Sequence, residues 1–383
     1  MPNLTSTIPL SLYIHIPWCV RKCPYCDFNS HEAKSSLPED LYTAALLQEL
    51  DQHLPLIQDR AIVSIFFGGG TPSLFSARAI EQILNGVAKR LSLQPALEIT
   101  LEANPGTIDY QRFQDFREAG INRLSLGIQS LQDTKLKTLG RIHDHADAVR
   151  AISIAREAGF MNLNLDMMYG LPSQTIDDAL HDIETALRYE PSHFSWYQLT
   201  IEPNTFFYHQ TPVLPADETI WEMQMAGQQL LKESGFIQYE ISAYSRPDHE
   251  CLHNRNYWEF GDYLGIGAGA HSKISDFNDG RIVRFSQVRH PRDYLDASKR
   301  QTQILKPVAG NDLIFEFMLN ALRLIKGVPA ALFTERTGIP LQQIEPLLAT
   351  ARQKGLMTNE STQLAASELG IKFLNDLQGI FLP

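Results

Sequence analysis

Residues 13–28 read YIHIPWCVRKCPYCDF and place Cys19, Cys23 and Cys26 within eight positions of a chain with only four cysteines. The run just ahead, SLYIHI at 11–16, is short, apolar and rich in β-formers, so the cysteines follow a strand. Pro17 and Pro24 favour a shaped loop there over a continuing helix.

Working outward, similar β-rich runs recur at about 61–67, 97–103, 123–128, 162–168 and 194–201, with amphipathic helical stretches such as LYTAALLQELDQHL and TIDDALHDIETALRY between them. Strand–helix alternation means parallel strands joined by crossover helices. The predicted fold class is therefore α/β, an incomplete (β/α)6 TIM-like barrel, with an open doubly wound sheet as the alternative. Each polar or glycine-rich motif follows or closes one of these strands: WCVRKCPYCDF the first, GGGTPS the second, EANPG the third, GIQS the fourth and YGLP the fifth. The carboxyl ends of parallel strands form the site face of such folds, so these motifs are expected to converge in space.

The pattern changes after about residue 205, and three units are expected: a barrel over 1–205, an α+β extension over 206–305 carrying HNRNYW, and a helical, winged-helix-like domain over 306–383. Winged helices often bind DNA, but residues 307–383 hold 6 Lys plus Arg against 7 Asp plus Glu. Phosphate contact needs basic surface. The net charge of −11 argues the same way for the whole chain, so no nucleic-acid partner is expected. Four cysteines in 383 residues are no secreted disulfide framework, and no apolar run is long enough to span a bilayer. A cytoplasmic location is expected.

Cys-x3-Cys-x2-Cys supplies three soft thiolates, which select zinc, copper(I) or an iron–sulfur cluster. A structural zinc needs a fourth ligand, and His15, His31 or Asp27 could supply it. A [4Fe–4S] cubane normally takes one cysteine per iron, so three would leave one iron open to a small molecule. S-adenosylmethionine (SAM) suits that vacancy: its amino and carboxylate groups can chelate iron, and SAM with an Fe–S cluster is a route to radical chemistry.

The cysteine spacing, with GGGTP at 68–72 after the second strand, resembles the radical SAM superfamily. YIHIPWC, EANPG, LGIQS, LGRIHD and LDMMYGLP resemble the branch that contains coproporphyrinogen dehydrogenase. That resemblance implies cluster ligation by Cys19, Cys23 and Cys26. It also implies SAM contacts from Tyr13, Gly69, Gly70, Thr71, Glu102, Gln129, Arg141 and Asp166. The dehydrogenases carry a further cysteine two places after the third, in a CxxxCxxCxC pattern, whereas this chain has Cys26-Asp27-Phe28. CxxxCxxCxF instead resembles HemW, the haem-chaperone subfamily, over nearly the whole chain.

HNRNYW, residues 253–258, is similar to the HNxxYW motif associated with haem in that subfamily. His253 could ligate haem iron while Tyr257 and Trp258 offer flat apolar faces, and a helical pitch would bring His253 beside Tyr257. The alternative is an aromatic packing corner with His253 hydrogen-bonded internally. His271, in GAGAHS, reads equally as lining a site or stabilising a turn. The resemblance thus implies a chaperone holding a [4Fe–4S] cluster, SAM and haem rather than a coproporphyrinogen dehydrogenase. Its expected partners are haem-acceptor proteins, respiratory enzymes at the inner face of the membrane among them, and a second copy of the chain. The alternatives are oxygen-independent coproporphyrinogen III dehydrogenation and a zinc-stabilised binding module.

Overall fold

A computed structural model describes residues 8–277, 279–304, 307–308 and 310–383. Its centre is six strands in chain order: β1 (Leu10–Ile16), β2 (Ile62–Gly69), β3 (Leu93–Ala103), β4 (Arg123–Gln129), β5 (Asn162–Tyr169) and β6 (His193–Gln198). Each pairs in parallel with the next. The main crossover helices are α1 (Glu39–Ile57), α2 (Ala77–Ala88), α3 (Tyr110–Glu118), α4 (His145–Glu157) and α5 (Ile176–Leu187). Four of the five starts are fixed by side-chain caps: Ser76 for α2, Asp109 for α3, and reciprocal capping boxes at Asp144 and Thr175 for α4 and α5; α1 begins after Pro38 without one. Such caps satisfy the open N–H groups of the first turn and so set where each strand-end loop must stop.

The two faces of this sheet differ. Outward positions such as Leu12, Ile14, Ile65, Phe67, Leu124, Leu126, Leu163 and Leu165 are fully buried in one apolar cluster beneath the helices. Inward positions, two residues apart along each strand, are mostly polar: Ser11, Tyr13 and His15 on β1, Arg123 and Ser125 on β4, Asn164 and Asp166 on β5. Parallel sheets usually bury apolar residues on both faces. Here Tyr13, Glu102, Arg123, Asp166 and Ser195 line one inner cavity of about 190 Å³, so the strands curl around a polar lumen. Polar groups within it are bonded to one another: Asn164 Nδ2 donates to Ser125 Oγ at 2.7 Å and Ser125 Oγ donates to Asp166 Oδ2 at 2.9 Å.

The chain after residue 205 extends both edges of the same sheet. β7 (Ile237–Glu240) and β8 (Ala243–Ser245) add antiparallel beyond β6. On the other side β9 (Asp262–Ile266) pairs in parallel with β1, and β10 (His271–Asp276) and β11 (Arg281–Ser286) continue antiparallel. Leu264, Ile266, Ile274 and Phe285 belong to the same apolar cluster as β1. The middle stretch is thus built into the barrel's sheet and core. The expected boundary at 305/306 lies outside the described residues. Beyond it, helices Asn311–Ala321, Ala330–Thr337 and Glu345–Gln353 and a short Val328–Pro329/Gln363–Leu364 ribbon surround a second core of Phe317, Phe333, Ile344 and Leu348.

Two details depart from the pattern read in the sequence. The sixth strand stops at Gln198 rather than near 201, because its partner β5 ends at Tyr169 and Gly170 (φ +70°) turns the chain away. Gly68 and Gly69 lie inside β2 rather than after it, paired with His15 and Ile16. A side chain at Gly69 would collide with the His15 ring, within 2.5 Å of its Cε1.

Candidate functional site

From Ile16 the chain enters a loop that two short strands, Trp18–Cys19 and His31–Glu32, pinch shut. His31 N–H donates to Pro17 O at 2.7 Å, Ala33 N–H to Cys19 O at 2.9 Å, and Cys26 N–H to Cys23 O at 3.1 Å. Cys19, Cys23 and Cys26 are unpaired and half-buried. They share the wall of a cavity of about 410 Å³ with Thr71, Glu102, Gln129, Arg141 and Asp166. Five strand ends thus deliver their polar residues to one mouth, as expected of the carboxyl face of a parallel sheet.

Gly70 joins the wall through its backbone. Its N–H donates to Ile16 O at 2.9 Å, and a Cβ there would meet Trp18 O at 2.5 Å, so only glycine lets the two loops touch. Gly69 stands one step behind, where its N–H donates to Glu102 Oε2 at 3.2 Å. Gln129 ends β4 at a bulge with φ +68°, a strained conformation of the kind that gathers at functional sites. Tyr197 Oη donates to Gln129 Oε1 at 2.8 Å, while the amide nitrogen makes no hydrogen bond among the described residues. Arg141 donates from Nη2 to Gly127 O at 2.7 Å and from Nη1 to Cys23 Sγ at 3.5 Å.

The mouth is electrostatically unfinished. Burial pushes the Glu102 carboxyl up to about 8, and nearby Asp166 pushes it further the same way, against the Gly69 N–H. Burial also raises Asp166, against donation from Ser125 and Asn164. The Cys19 thiol is raised by burial, with the Thr71 hydroxyl opposing. Arg141 Nε and Asn104 Oδ1 are buried without a partner among the described residues. Orphaned groups of this kind are costly unless a ligand or water completes them.

These residues fit an iron–sulfur cluster with SAM beside it. The donors are three soft sulfurs with no fourth cysteine in the wall, the behaviour expected of a cubane with one open iron. Among the described residues no three His, Cys, Asp or Glu side chains are gathered around a position for a single ion. Two buried carboxyls, an arginine and a free amide provide the acceptors and donors that a ribose, an amino group and a carboxylate need.

Besides Gly69, two expected site residues lie outside the mouth wall. Tyr13 does not line the mouth. Its hydroxyl donates to His15 Nδ1 at 3.1 Å, and His15 Nε2–H donates to Asn29 O at 2.9 Å. The strand register sets Tyr13 level with Phe66, which is level with Thr100, one inward layer below Glu102. His253 is buried in the helix Leu252–Trp258 with both ring nitrogens engaged. Ser64 Oγ donates to Ser11 Oγ at 2.7 Å and so accepts from His253 Nδ1–H at 2.9 Å. Nε2 therefore accepts from Tyr257 Oη at 2.8 Å. Burial lowers the imidazole to about 3, which keeps it neutral. The i, i+4 contact read from the sequence is present, but it closes a hydrogen-bond chain and leaves no nitrogen for iron. His271, by contrast, is exposed at the start of β10, and its ring makes no hydrogen bond among the described residues.

Sequence reasoning missed Asn104, Arg123, Ser125 and Tyr197 as lining residues. The signal was available: polar residues spaced two apart within apolar strands, as in Arg123-Leu-Ser125 and Asn164-Leu-Asp166, mark a wet inner face.

The radical SAM superfamily matches residues 13–186, and the HemN C-terminal domain family matches residues 308–373. Heme chaperone HemW of Escherichia coli (strain K12) is 48% identical over 374 residues, covering 98% of this chain and 98% of that protein. Heme chaperone HemW of Haemophilus influenzae is 47% identical over 386 residues, covering 100% and 99%. A solved structure of coproporphyrinogen III oxidase (HemN) from Escherichia coli, a radical SAM enzyme, superposes with a TM-score of 0.81 at 22% identity, over 99% of this chain and 92% of that one. That likeness establishes the fold: a HemN-like α/β structure.

Proposed function

Since this chain belongs to the HemW haem chaperones of the radical SAM superfamily, we propose that its strand-end mouth is the cluster and SAM site of a protein that carries haem to acceptor proteins. The observation that carries this reading is the mouth itself, where three unpaired thiols face buried carboxyls and an Arg141 Nε with no partner among the described residues. Cys19, Cys23 and Cys26 would hold the [4Fe–4S] cluster. A bound cluster with SAM supplies one-electron, radical-forming chemistry.

The chain's own residues would do the rest. Gly70 lets the backbone come close to the methionine end, and Thr71 N–H, held on Trp18 O at 2.7 Å, fixes that turn. Glu102 and Asp166 would accept from ribose or amino groups, Gln129 would donate its free amide, and Arg141 would pair with a carboxylate while bracing Cys23. Arg141 is itself positioned through Gly127 O. Tyr13 acts one layer below as a wall of the lumen. The acceptors would be haem-requiring proteins, respiratory enzymes at the membrane among them, with a homodimer as the carrier. No helix among the described residues is long and apolar enough to cross a membrane, so membrane association would come through the acceptor.

The decisive test loads anaerobically reconstituted protein with haem, removes free haem and adds an apo-haem enzyme. Recovery of that enzyme's activity is expected. Absence of transfer, with protoporphyrinogen formed at catalytic rates from coproporphyrinogen III, SAM and reductant, would replace the carrier by a dehydrogenase.

A further inference from the structure

If the protein carries haem, the haem needs a flat apolar slot and an iron ligand, and the His253 ring is spent. Beside it, on the far side of Tyr13 and Tyr257 from the lumen, lies a second cavity of about 400 Å³. Its size is within the range of small-molecule and cofactor sites. We propose that haem sits in this cavity and that His271, not His253, ligates its iron; the inference rests on the haem-carrier reading.

The walls are aromatic. Tyr257 and Tyr263 meet edge to face at 4.6 Å between ring centroids, with Trp258 and Phe260 alongside. Rings in this arrangement present apolar faces to a macrocycle at little entropic cost. Two histidines reach the wall, His15 and His271. His15 is buried and fully hydrogen-bonded, so of these two His271 offers the imidazole with no hydrogen bond among the described residues. Its backbone is held firmly: His271 pairs with Ser286 across β10–β11, and a Cβ at Gly265 would meet His271 O at 2.2 Å. A fixed backbone under a free ring is what an axial ligand needs.

The polar edge suits a dianion. Arg284 lines the cavity, donating to Tyr263 Oη at 2.9 Å and sharing an ion pair with Glu316. Arg289 acts electrostatically on His271 and makes no ion pair among the described residues. The Trp258 indole N–H is buried and has no partner among the described residues. The Trp258 N–H is a donor that a haem propionate would take up, and Arg289 adds positive charge beside His271, whereas the Arg284 N–H groups are spent on Glu316 and Tyr263. Tyr257 is wall to both cavities, and Glu102 and Asp166 are wall to both the lumen and the mouth. Haem here would therefore be separated from SAM by the lumen, with Tyr257 between them.

Haemin titrated into the full chain and its variants tests the assignment, with absorbance and EPR reporting the iron ligands. His271→Ala is expected to weaken haemin about tenfold or more, to lose the imidazole-ligated spectrum and to regain it with added imidazole, while His253→Gln keeps both. His271→Met is expected to exchange nitrogen for thioether ligation, a signature produced only by a residue at the iron. A wild-type spectrum in both His271 variants would overturn the assignment. So would a loss confined to His253→Gln. Failure of the wild-type chain to bind haemin saturably would overturn the haem-carrier reading itself, a result distinct from saturable binding that ignores His271.

Discussion

In the mouth cavity Arg141 Nε and Asn104 Oδ1 are buried without partners among the described residues, whereas at the HNRNYW corner Ser11, Ser64, His253 and Tyr257 form a continuous chain of hydrogen bonds. Both regions carry side chains that chemistry recognises as ligands. They differ in what those side chains have left to give. A buried polar group with no partner costs free energy that a ligand can recover, while a satisfied one must first be broken open. A ligand-like motif therefore counts as a site only when its bonding capacity is unspent.

The sharpest way to break this contrast is at the sulfurs. Replacing any one of Cys19, Cys23 or Cys26 by Ser is expected to cut bound iron after anaerobic reconstitution from roughly four atoms per chain to below about one. Iron retained in all three variants would remove the mouth from the account.

At the corner the expected effect falls on stability. His253→Ala strands Ser64 and Tyr257 in a buried cavity and should cost about 2–4 kcal/mol in denaturant unfolding. His271→Ala, at an exposed ring with no bonds to lose, should stay within about 0.5 kcal/mol. Equal costs would erase the difference between a spent and an unspent histidine.

A pH series sharpens the mouth. Glu102 in the fold holds its proton to about 8, above the ordinary 4.5, so the protonated carboxyl is the form that burial favours. Its contribution to stability is full below about 4.5 and is lost as the pH climbs through about 8. Ligand-free Glu102→Gln should match the wild type near pH 5 and exceed it by roughly 1–3 kcal/mol near pH 8. Parallel stability curves would contradict the raised Glu102 carboxyl.

The smallest effect is expected at Tyr197. Tyr197→Phe removes the hydroxyl that holds Gln129 and should weaken SAM about three- to tenfold, read by equilibrium dialysis, with iron content unchanged. Unchanged SAM affinity would remove Gln129 from the binding set.

Much of this was legible in the chain. The β-rich runs located all six central strands, and the placement of each motif after a strand foretold that Cys19, Glu102 and Gln129 would share one cavity; Arg141 and Asp166, which join them there, were implied by the family resemblance. That works because parallel strands deliver every carboxyl end to one face. Tyr13 is close to the cysteines along the chain, yet the register sets it a layer below the mouth; each residue of strand adds about 3.3 Å. The hydrogen-bond chain from His253 through Ser64 to Ser11 was not legible, because those serines lie far away in sequence, on strands that only the folded sheet brings beneath it. The middle stretch looked like a separate unit because its strands are short, yet β9 pairs with β1 and shares its core. Long-range pairing of that kind leaves no local trace in composition.

The central claim is that three thiolates hold a cubane whose remaining iron is free for SAM. Mössbauer spectroscopy of ⁵⁷Fe-reconstituted protein, kept anaerobic and recorded before and after SAM addition, tests it most directly. The account predicts that one iron in four changes its spectrum when SAM is added. A cluster whose irons all ignore SAM, or no cubane at all, would contradict it.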